Sequence, residues 1–268
     1  MQKITKNVYV ESKTSVCNSS CVVTKEGVVA IDTPMVPANA KKHVAEISKF
    51  GKIRYVINTE PHGDHISGNC YFGGTLITHE GTRDAILASK VEDIKGMLQM
   101  FSPGMPLDKD FKYRPSDITL SERLTFYLGD HTFHLIHMPG HSPYQVAVYV
   151  PEERTIFTSD NISRGIPFFR QALPDKWLKT LKALEKYDVD FVVPGHGDVG
   201  DKTCISEMYD TVTTWINTVK DAIAKGMTLK EAQSKVTMAK QFPNLPRDER
   251  TAGIIQMNVT RLYEVLKK

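Results

Sequence analysis

Cysteine is scarce and shows no pairing pattern. Cys17, Cys21, Cys70 and Cys204 are the only four in 268 residues, and none belongs to a CxxC pair. Cys17 and Cys21 fall in a strand-like stretch, where ~3.3 Å per residue puts them ~13 Å apart, too far to bridge. Free thiols, and with them a reducing cytoplasm, are expected. Runs of ~18 apolar residues are absent, which excludes a membrane-spanning helix. Met1-Gln2-Lys3-Ile4-Thr5-Lys6-Asn7 leads into no apolar stretch, so no secretory signal is expected. Charge of one sign is nowhere concentrated: 34 Lys and Arg stand against 31 Asp and Glu, a net +3. That balance argues against nucleic acid or a membrane surface as a partner. It leaves a homo-oligomer open. No internal repeat is visible.

What is present supports a sizeable core. Hydrophobic residues make up 41%, and the length suits one two-layer α/β unit. Residues 3–33 read as three strands, near 4–10, 15–24 and 27–32, with Glu26-Gly27 as a hairpin turn. Pro37 opens a helix, Ala38 to Phe50, that Gly51 ends. His43 falls on what reads as its solvated face. A strand at 53–57 follows, then a loop whose Gly63 lets the backbone come close to the candidate ligands. A short helix starts near 66. Strand 75–78 precedes helices near 80–88 and 91–101, and residues 102–117 read as irregular. Strands near 118–120, 124–128, 131–137, 146–150 and 155–158 make a second sheet region. A helix from Pro174 to about Tyr187 carries Leu178, Leu181 and Leu184 on one stripe. After 200 the pattern turns helical. Ile205, Met208, Tyr209, Val212, Ile216 and Val219 keep helical spacing, Thr228 and Glu231 form a capping box, and a last helix spans ~250–266.

The most informative stretch is Glu60-Pro61-His62-Gly63-Asp64-His65. Four potential metal ligands fall within six residues, directly after the β-branched run Ile53-Arg54-Tyr55-Val56-Ile57 and the turn-like Asn58-Thr59. A strand that delivers a loop can aim several short side chains at one point. His and carboxylate together suit zinc, iron or manganese. Three later apolar runs each end on a further donor: 132–138 leads to His141, 155–158 to Asp160, and 190–193 to His196. Strand ends that converge on one sheet edge are where ligands gather.

In order and spacing, from about Lys3 to Asp201, these motifs resemble the metallo-β-lactamase fold superfamily of hydrolases. Its pattern is a His-x-His-x-Asp-His loop, a lone His, an Asp or Cys, and a final His. Gly27-Val28-Val29-Ala30-Ile31-Asp32-Thr33 also matches the family's buried strand ending in Asp-Thr. The resemblance implies an α/β fold, a four-layer αββα sandwich with metals at one edge of the paired sheets. Helices must then cover both outer faces. Residues 1–200 would form the catalytic domain. Residues 201–268 would be a helical appendage packed on it, in one structural unit. Carried over position by position, a first cation site holds Glu60, His62 and His141. A second holds Asp64, His65 and His196, and Asp160 bridges the two. Two divalent ions are implied, zinc first, with manganese or iron as competitors. Lactamases of the superfamily usually carry Cys or Ser where Asp160 stands, which argues mildly against a dedicated lactamase.

Glu60 is the one departure, because the family has His there. Three carboxylates against two divalent ions leave about one net positive charge, and a His would leave about two. A weaker field acidifies a bound water less, and the hard oxygen favours manganese or iron more than an imidazole would. Direct ligation is the favoured reading. The alternatives are a Glu60 that swings away, and one that orients His62 from outside.

The resemblance further implies a hydrolase acting on a small-molecule substrate: an ester, thioester, lactone or amide, with β-lactams as a side activity. A hydroxide formed at the cations would attack, and Asp64 and Asp160 are the expected catalytic carboxylates. Tyr144, Phe168, Phe169 and Arg170, in or near the Arg164–Gln171 loop, are candidate substrate contacts, unless that loop simply packs on the C-terminal helices. Asp32 is expected to orient the metal loop rather than to ligate. His131, His134 and His137 alternate faces of a strand, so they cannot share one ion. His79, at a strand end, is open to either role. A Ser-His-Asp reading of Ser142 or Ser159 lacks a separate base. The alternative within the fold is an iron-dependent oxidoreductase resembling persulfide dioxygenases, although Glu60 does not fit its ligand pattern. A non-catalytic binding protein would show broken ligand positions, and six of seven are kept here.

Overall fold

Alternate residues along a strand face opposite ways, and in the central strands both sets are apolar. Val29, Ile31, Ile57 and Ile77 turn to one side, Val28, Ala30, Val56 and Leu76 to the other, and all are buried. Strands of this kind need a layer on each face. The computed structural model, which describes residues 1–13 and 16–267, supplies both.

The first half of the chain forms β1 (Gln2–Lys3), β2 (Val8–Glu11), β3 (Ser19–Thr24), β4 (Gly27–Ile31), α1 (Pro37–Ile47), β5 (Ile53–Ile57), α2 (Gly63–Ile66), β6 (Thr75–His79), α3 (Glu80–Ala88), α4 (Val91–Phe101) and β7 (Ile118–Leu120). Its seven strands lie in sequence order in one sheet, antiparallel from β1 to β4 and parallel from β4 to β7. The second half forms β8 (Arg123–Leu128), β9 (His131–His137), β10 (Val146–Val150), β11 (Thr155–Ser163), α5 (Pro174–Leu184), β12 (Phe191–His196), α6 (Thr203–Ala224), α7 (Leu229–Lys235) and α8 (Glu249–Leu266). Its five strands run in the order β12-β11-β10-β9-β8, and only β11 and β12 are parallel neighbours.

Phe133, Leu135, Val146, Val148, Phe157 and Val193 meet Val29, Ile31, Ile57 and Ile77 between the sheets. On the outer face of the first sheet, Ala40 and Ile47 of α1 cover Val28, Ala30, Val56 and Leu76. On the outer face of the second, Trp177 and Leu181 of α5, Val212 and Trp215 of α6, and Val259 of α8 cover Ile136, Ala147, Ile156 and Val192. The result is the four-layer αββα sandwich. Strands β4, β5, β9, β11 and β12 all point their carboxyl ends at one edge, the usual place for ligands in α/β sheets.

Besides shifted ends, such as the strand expected at 4–10 that begins at Val8 and the first helix that stops at Ile47, three local findings differ from the sequence reading. The strand expected at 15–24 begins at Ser19, and Ser15 lies outside the described residues. Cys17 therefore precedes the strand. All four cysteines are free. Strand β11 runs five residues past the expected end, to Ser163. Asp160 and Asn161 are poor strand formers, yet they stay in the sheet through register shifts against β12 on either side of Ser159. Ser159 itself takes φ +53°. Irregularities of this kind re-aim side chains, and the one re-aimed here is Asp160.

His43 is the third. It is 2% exposed, tucked against Phe72, with neither ring nitrogen hydrogen-bonded among the described residues. The expected solvated face is instead the face that α1 turns to the sheet. Burial pushes its pKa down to about 4 from 6.5. The native state then resists a proton that the unfolded chain accepts. The penalty is absent above pH 6.5 and grows as pH falls toward 4, reaching about 2 kcal/mol at pH 5. His43→Leu should therefore stabilise the chelator-treated protein by ~2 kcal/mol more at pH 5 than at pH 7.5 in urea denaturation. Equal effects at both pH values would sink this assignment.

Candidate metal centre

Strand β5 ends at Ile57 and passes into Asn58-Thr59-Glu60-Pro61-His62, after which one helical turn, α2, carries Asp64 and His65. Asn58 and Thr59 hold this segment from behind. Asn58 Nδ2 donates to the His65 carbonyl (2.9 Å) and to Asn69 Oδ1 (3.0 Å). Asp32, just past β4 at φ +54°, accepts from the Thr59 backbone N–H (2.8 Å) and hydroxyl (2.5 Å). Gly63 has ordinary φ, and its role is space: a Cβ there would meet the Met97 thioether on α4 at 2.5 Å. Gly195 is more demanding, since a Cβ there would collide with Asp160 Oδ1.

All seven expected donors come together. They form three groups whose donor atoms lie within 4.8 Å of one another: Glu60-His62-His141, Asp64-His65-His196 and Glu60-His65-Asp160. In the first, His141 Nε2 faces His62 Nδ1 at 3.3 Å and Glu60 Oε2 at 3.8 Å. In the second, Asp64 Oδ2 lies 3.2 Å from His196 Nε2 and 3.7 Å from His65 Nε2. Asp160 stands between them, with Oδ2 at 3.7 Å from His141 Nε2 and 3.2 Å from His196 Nε2, and Oδ1 at 3.5 Å from His65 Nε2.

The far nitrogens of two rings are fixed from outside. His65 Nδ1 meets Asp32 Oδ2 at 3.0 Å, and His196 Nδ1 donates to the Val16 carbonyl at 2.7 Å. Such partners hold the Nε2 lone pairs toward the cluster. Glu60 is placed differently. Its Oε2 lies 2.9 Å from His62 Nδ1, the same nitrogen that faces His141. Glu60 thus sits beside the inward nitrogen and not behind the ring. It is fully buried.

The donor set fits divalent cations. Glu60 Oε1, His65 Nε2 and Asp160 Oδ1 are buried without a hydrogen-bond partner among the described residues. Buried unsatisfied atoms are costly, and here three converge. Burial pushes the Glu60 and Asp160 carboxyls up, but the surrounding imidazoles outweigh it and hold both well below the usual range. Burial likewise pushes the rings down and keeps His141 below 6.5, but at the other three the neighbouring anionic groups win: His62 rises to about 9 beside Glu60, His65 rises well above 6.5 beside Cys17, Asp64, Glu60 and Asp32, and His196 rises well above 6.5 beside Asp160 and Asp64. A cluster that collects protons in this way offers negative potential to a metal ion.

Of the remaining expectations, Phe169 is corrected. It is 0% exposed, packed 5.1 Å from Trp177 and 5.8 Å from Trp215, so its ring belongs to the core and meets no substrate. Asn258 of α8 fastens its loop by accepting from the Phe169 N–H (2.8 Å) and donating to the Pro167 carbonyl (2.7 Å). Phe168 is half-buried, and Arg170 and Gln171 are exposed. Tyr144 is 38% exposed and stacks on His79. His79 caps α3 by accepting from Gly81 N–H, and its other nitrogen donates to the Ser121 carbonyl. His131, His134 and His137 pair with Glu153, Thr125 and the Pro143 carbonyl, away from the cluster.

Two positioning residues escaped the sequence reading. Asn18 holds the His196 turn through its N–H to Gly195 O (2.7 Å) and its Nδ2 to Pro194 O (2.9 Å) and Gly197 O (2.7 Å). Asn161 accepts from the His141 N–H (3.1 Å) and donates to Met138 O (2.7 Å). The only hint was a buried-context Asn beside an apolar run.

The sequence profile of the Metallo-beta-lactamase superfamily matches residues 14–196. The chain belongs to this superfamily. A metallo-beta-lactamase type 2 of Elizabethkingia meningoseptica is 24% identical over 233 residues, 80% of this chain and 85% of the relative. The alpha subunit of a 2,4-dinitroanisole O-demethylase from Nocardioides sp. (strain JS1661) is 28% identical over 182 residues, 63% of this chain and 49% of that subunit. The stereoselective inverting sec-alkylsulfatase Pisa1 from Pseudomonas sp. shares the fold, with TM-score 0.76 at 15% identity over 98% of this chain and 49% of its own. Superfamily members typically bind metal ions, and the three donor groups are this chain's candidate positions. No helix among the described residues is long and apolar enough to cross a membrane.

Asp32 offers a direct check. Asn tolerates positive φ, so Asp32→Asn keeps the backbone while removing the charge behind His65. Zinc affinity by competition titration should fall about 10–100-fold with the fold intact. An unchanged affinity would show that Asp32 serves the backbone alone.

Proposed function

We propose that this chain is a metal-dependent hydrolase in which Glu60, His62, Asp64, His65, His141, Asp160 and His196 hold two divalent cations, zinc foremost. The observation that carries this is the convergence of seven donors around buried, unpartnered Glu60 Oε1, His65 Nε2 and Asp160 Oδ1. Bound divalent cations would supply Lewis acidity and a water made acidic near neutral pH.

The chain's own groups set the rest. Glu60 and His65 form a closed floor, with side chains 0% exposed. His62 and His196, 26% and 27% exposed, form the mouth, so water and substrate approach between those rings. Asp64 Oδ2 and Asp160 Oδ2 both flank His196 Nε2 at 3.2 Å. From there Asp64 orients the attacking water and accepts its proton, with Asp160 fixed alongside. No serine or cysteine nucleophile is required.

Small esters, thioesters, lactones and amides are the proposed substrates, with β-lactams as a side activity. Tyr144, Phe168 and Arg170 remain the candidate selectors. The relatives' names add an aryl ether and a secondary alkyl sulfate to the panel. Protein reconstituted separately with zinc, manganese and iron should be assayed against all of these and a phosphodiester, with bound metal measured in parallel. Hydrolysis of one class above background by a two-ion form supports the proposal. Oxygen uptake with a persulfide by the iron form alone, or no bound metal, would overturn it.

A further inference from the structure

We infer that Glu60 is a second bridging carboxylate, shared like Asp160 between both cation positions, so that the two positions are built as one unit. The inference rests on the two-cation reading above and goes beyond it, since that reading needs Glu60 only in the first site. Glu60 splits its two oxygens. Oε2 lies 2.9 Å from His62 Nδ1 and 3.8 Å from His141 Nε2, both of the first group. Oε1 lies 3.0 Å from His65 Nε2, which belongs to the second. Those two atoms are within hydrogen-bond distance, yet both remain without a hydrogen-bond partner because the alignment is wrong. Glu60 thus keeps one oxygen close to the second position with its lone pairs free, while the other is hydrogen-bonded to His62 Nδ1 at the first. The third donor group, Glu60-His65-Asp160, mixes members of both sites and contains both carboxylates that would be shared.

The residue type explains why this requires Glu. An imidazole turns one nitrogen to a site, and its other nitrogen points away. A carboxylate offers two oxygens with about four lone-pair sites. The substitution of the family's His by Glu60 therefore adds a ligand to the second position while keeping one at the first. Two anionic bridges would also make the pair more oxygen-rich, which favours harder ions.

A crystal structure of the zinc-loaded wild-type chain tests the inference directly. One Glu60 oxygen on each ion, at about 2.0–2.2 Å, supports it. Both oxygens on one ion, or Glu60 off both, overturns it while leaving the two-cation reading intact. An absence of ions at the cluster overturns both. Zinc titration supplies a second reading. The double variant His62→Ala/His141→Ala isolates the second position, and adding Glu60→Gln should weaken that position's affinity at least ~10-fold, since losing even an outer partner of a ligand costs about that much. A change under about twofold overturns the inference. Glu60→His, which refills the space with a ring, should weaken the second position in the same way, and circular dichroism checks that each variant is folded.

Discussion

Asp160→Ala is expected to lower turnover at least ~1,000-fold and, on the two-cation reading proposed above, to reduce bound metal from two ions to one or fewer. A factor of that size corresponds to about 4 kcal/mol of transition-state stabilisation, reasonable for an anion that faces both positions. Asp160 reaches His65, His141 and His196 at 3.2–3.7 Å. Without it, three imidazoles face one another across a void with one fewer negative charge. The backbone around it is already shaped for a carboxylate, since Gly195 leaves room for Oδ1 and the register slips of β11 deliver it. Alanine restores none of this. Initial rates on whichever substrate the panel identifies, with elemental analysis of the same samples, check the expectation. Activity within tenfold of wild type at unchanged metal content would remove Asp160 from the centre.

Stripping the cations should destabilise the fold by about 4 kcal/mol or more when the loaded form is held at a thousand times its dissociation constant. For a chain of this size that is a fall in melting temperature of roughly 8–16 °C. The physical cause is the buried carboxylates Glu60 and Asp160, with the half-buried Asp64 beside them, whose remaining partners are protons on imidazoles. The pH dependence has a definite sign. Burial works against the charged His62 ring, but Glu60 raises it to about 9 from 6.5. The stability that this proton contributes is complete below pH 6.5 and is lost as pH rises through 9. Melting of the chelated protein should therefore fall between pH 6.5 and 9, while the loaded protein changes little there. A chelated form that melts at the loaded temperature across that range would mean that the cluster holds no structural cation.

How much of this could be read without coordinates depends on the range of the interaction. The ligand order Glu60 to His196, the helices at 80–88 and 91–101, the strands at 118–120, 131–137 and 146–150, and the Thr228–Glu231 capping box all follow from local rules. Period, turn chemistry and donor type are written in neighbouring residues, so a chain read by itself determines them. The convergence at one sheet edge was also readable, because each donor stands directly after an apolar run that had to be a strand.

Other features depended on partners far away in the chain. His43 sits in a helix of weak amphipathic pattern, and only the packing of α1 on the first sheet decides that it is buried. Phe169 lies in a loop whose aromatic content suggested a binding surface, until α5 and α6 closed around it with Trp177 and Trp215. Asn18 reaches across more than 170 positions to hold the His196 turn. Glu60 is the clearest case. Its chemistry was evident from its type, but the direction of each oxygen depends on where β5, β9 and β11 place His65, His141 and Asp160 around it. Sequence alone determined which atoms can bind a cation and in what order they arrive. Tertiary structure decided which of them face one another, because that geometry comes from strands paired across two sheets and not from adjacent residues.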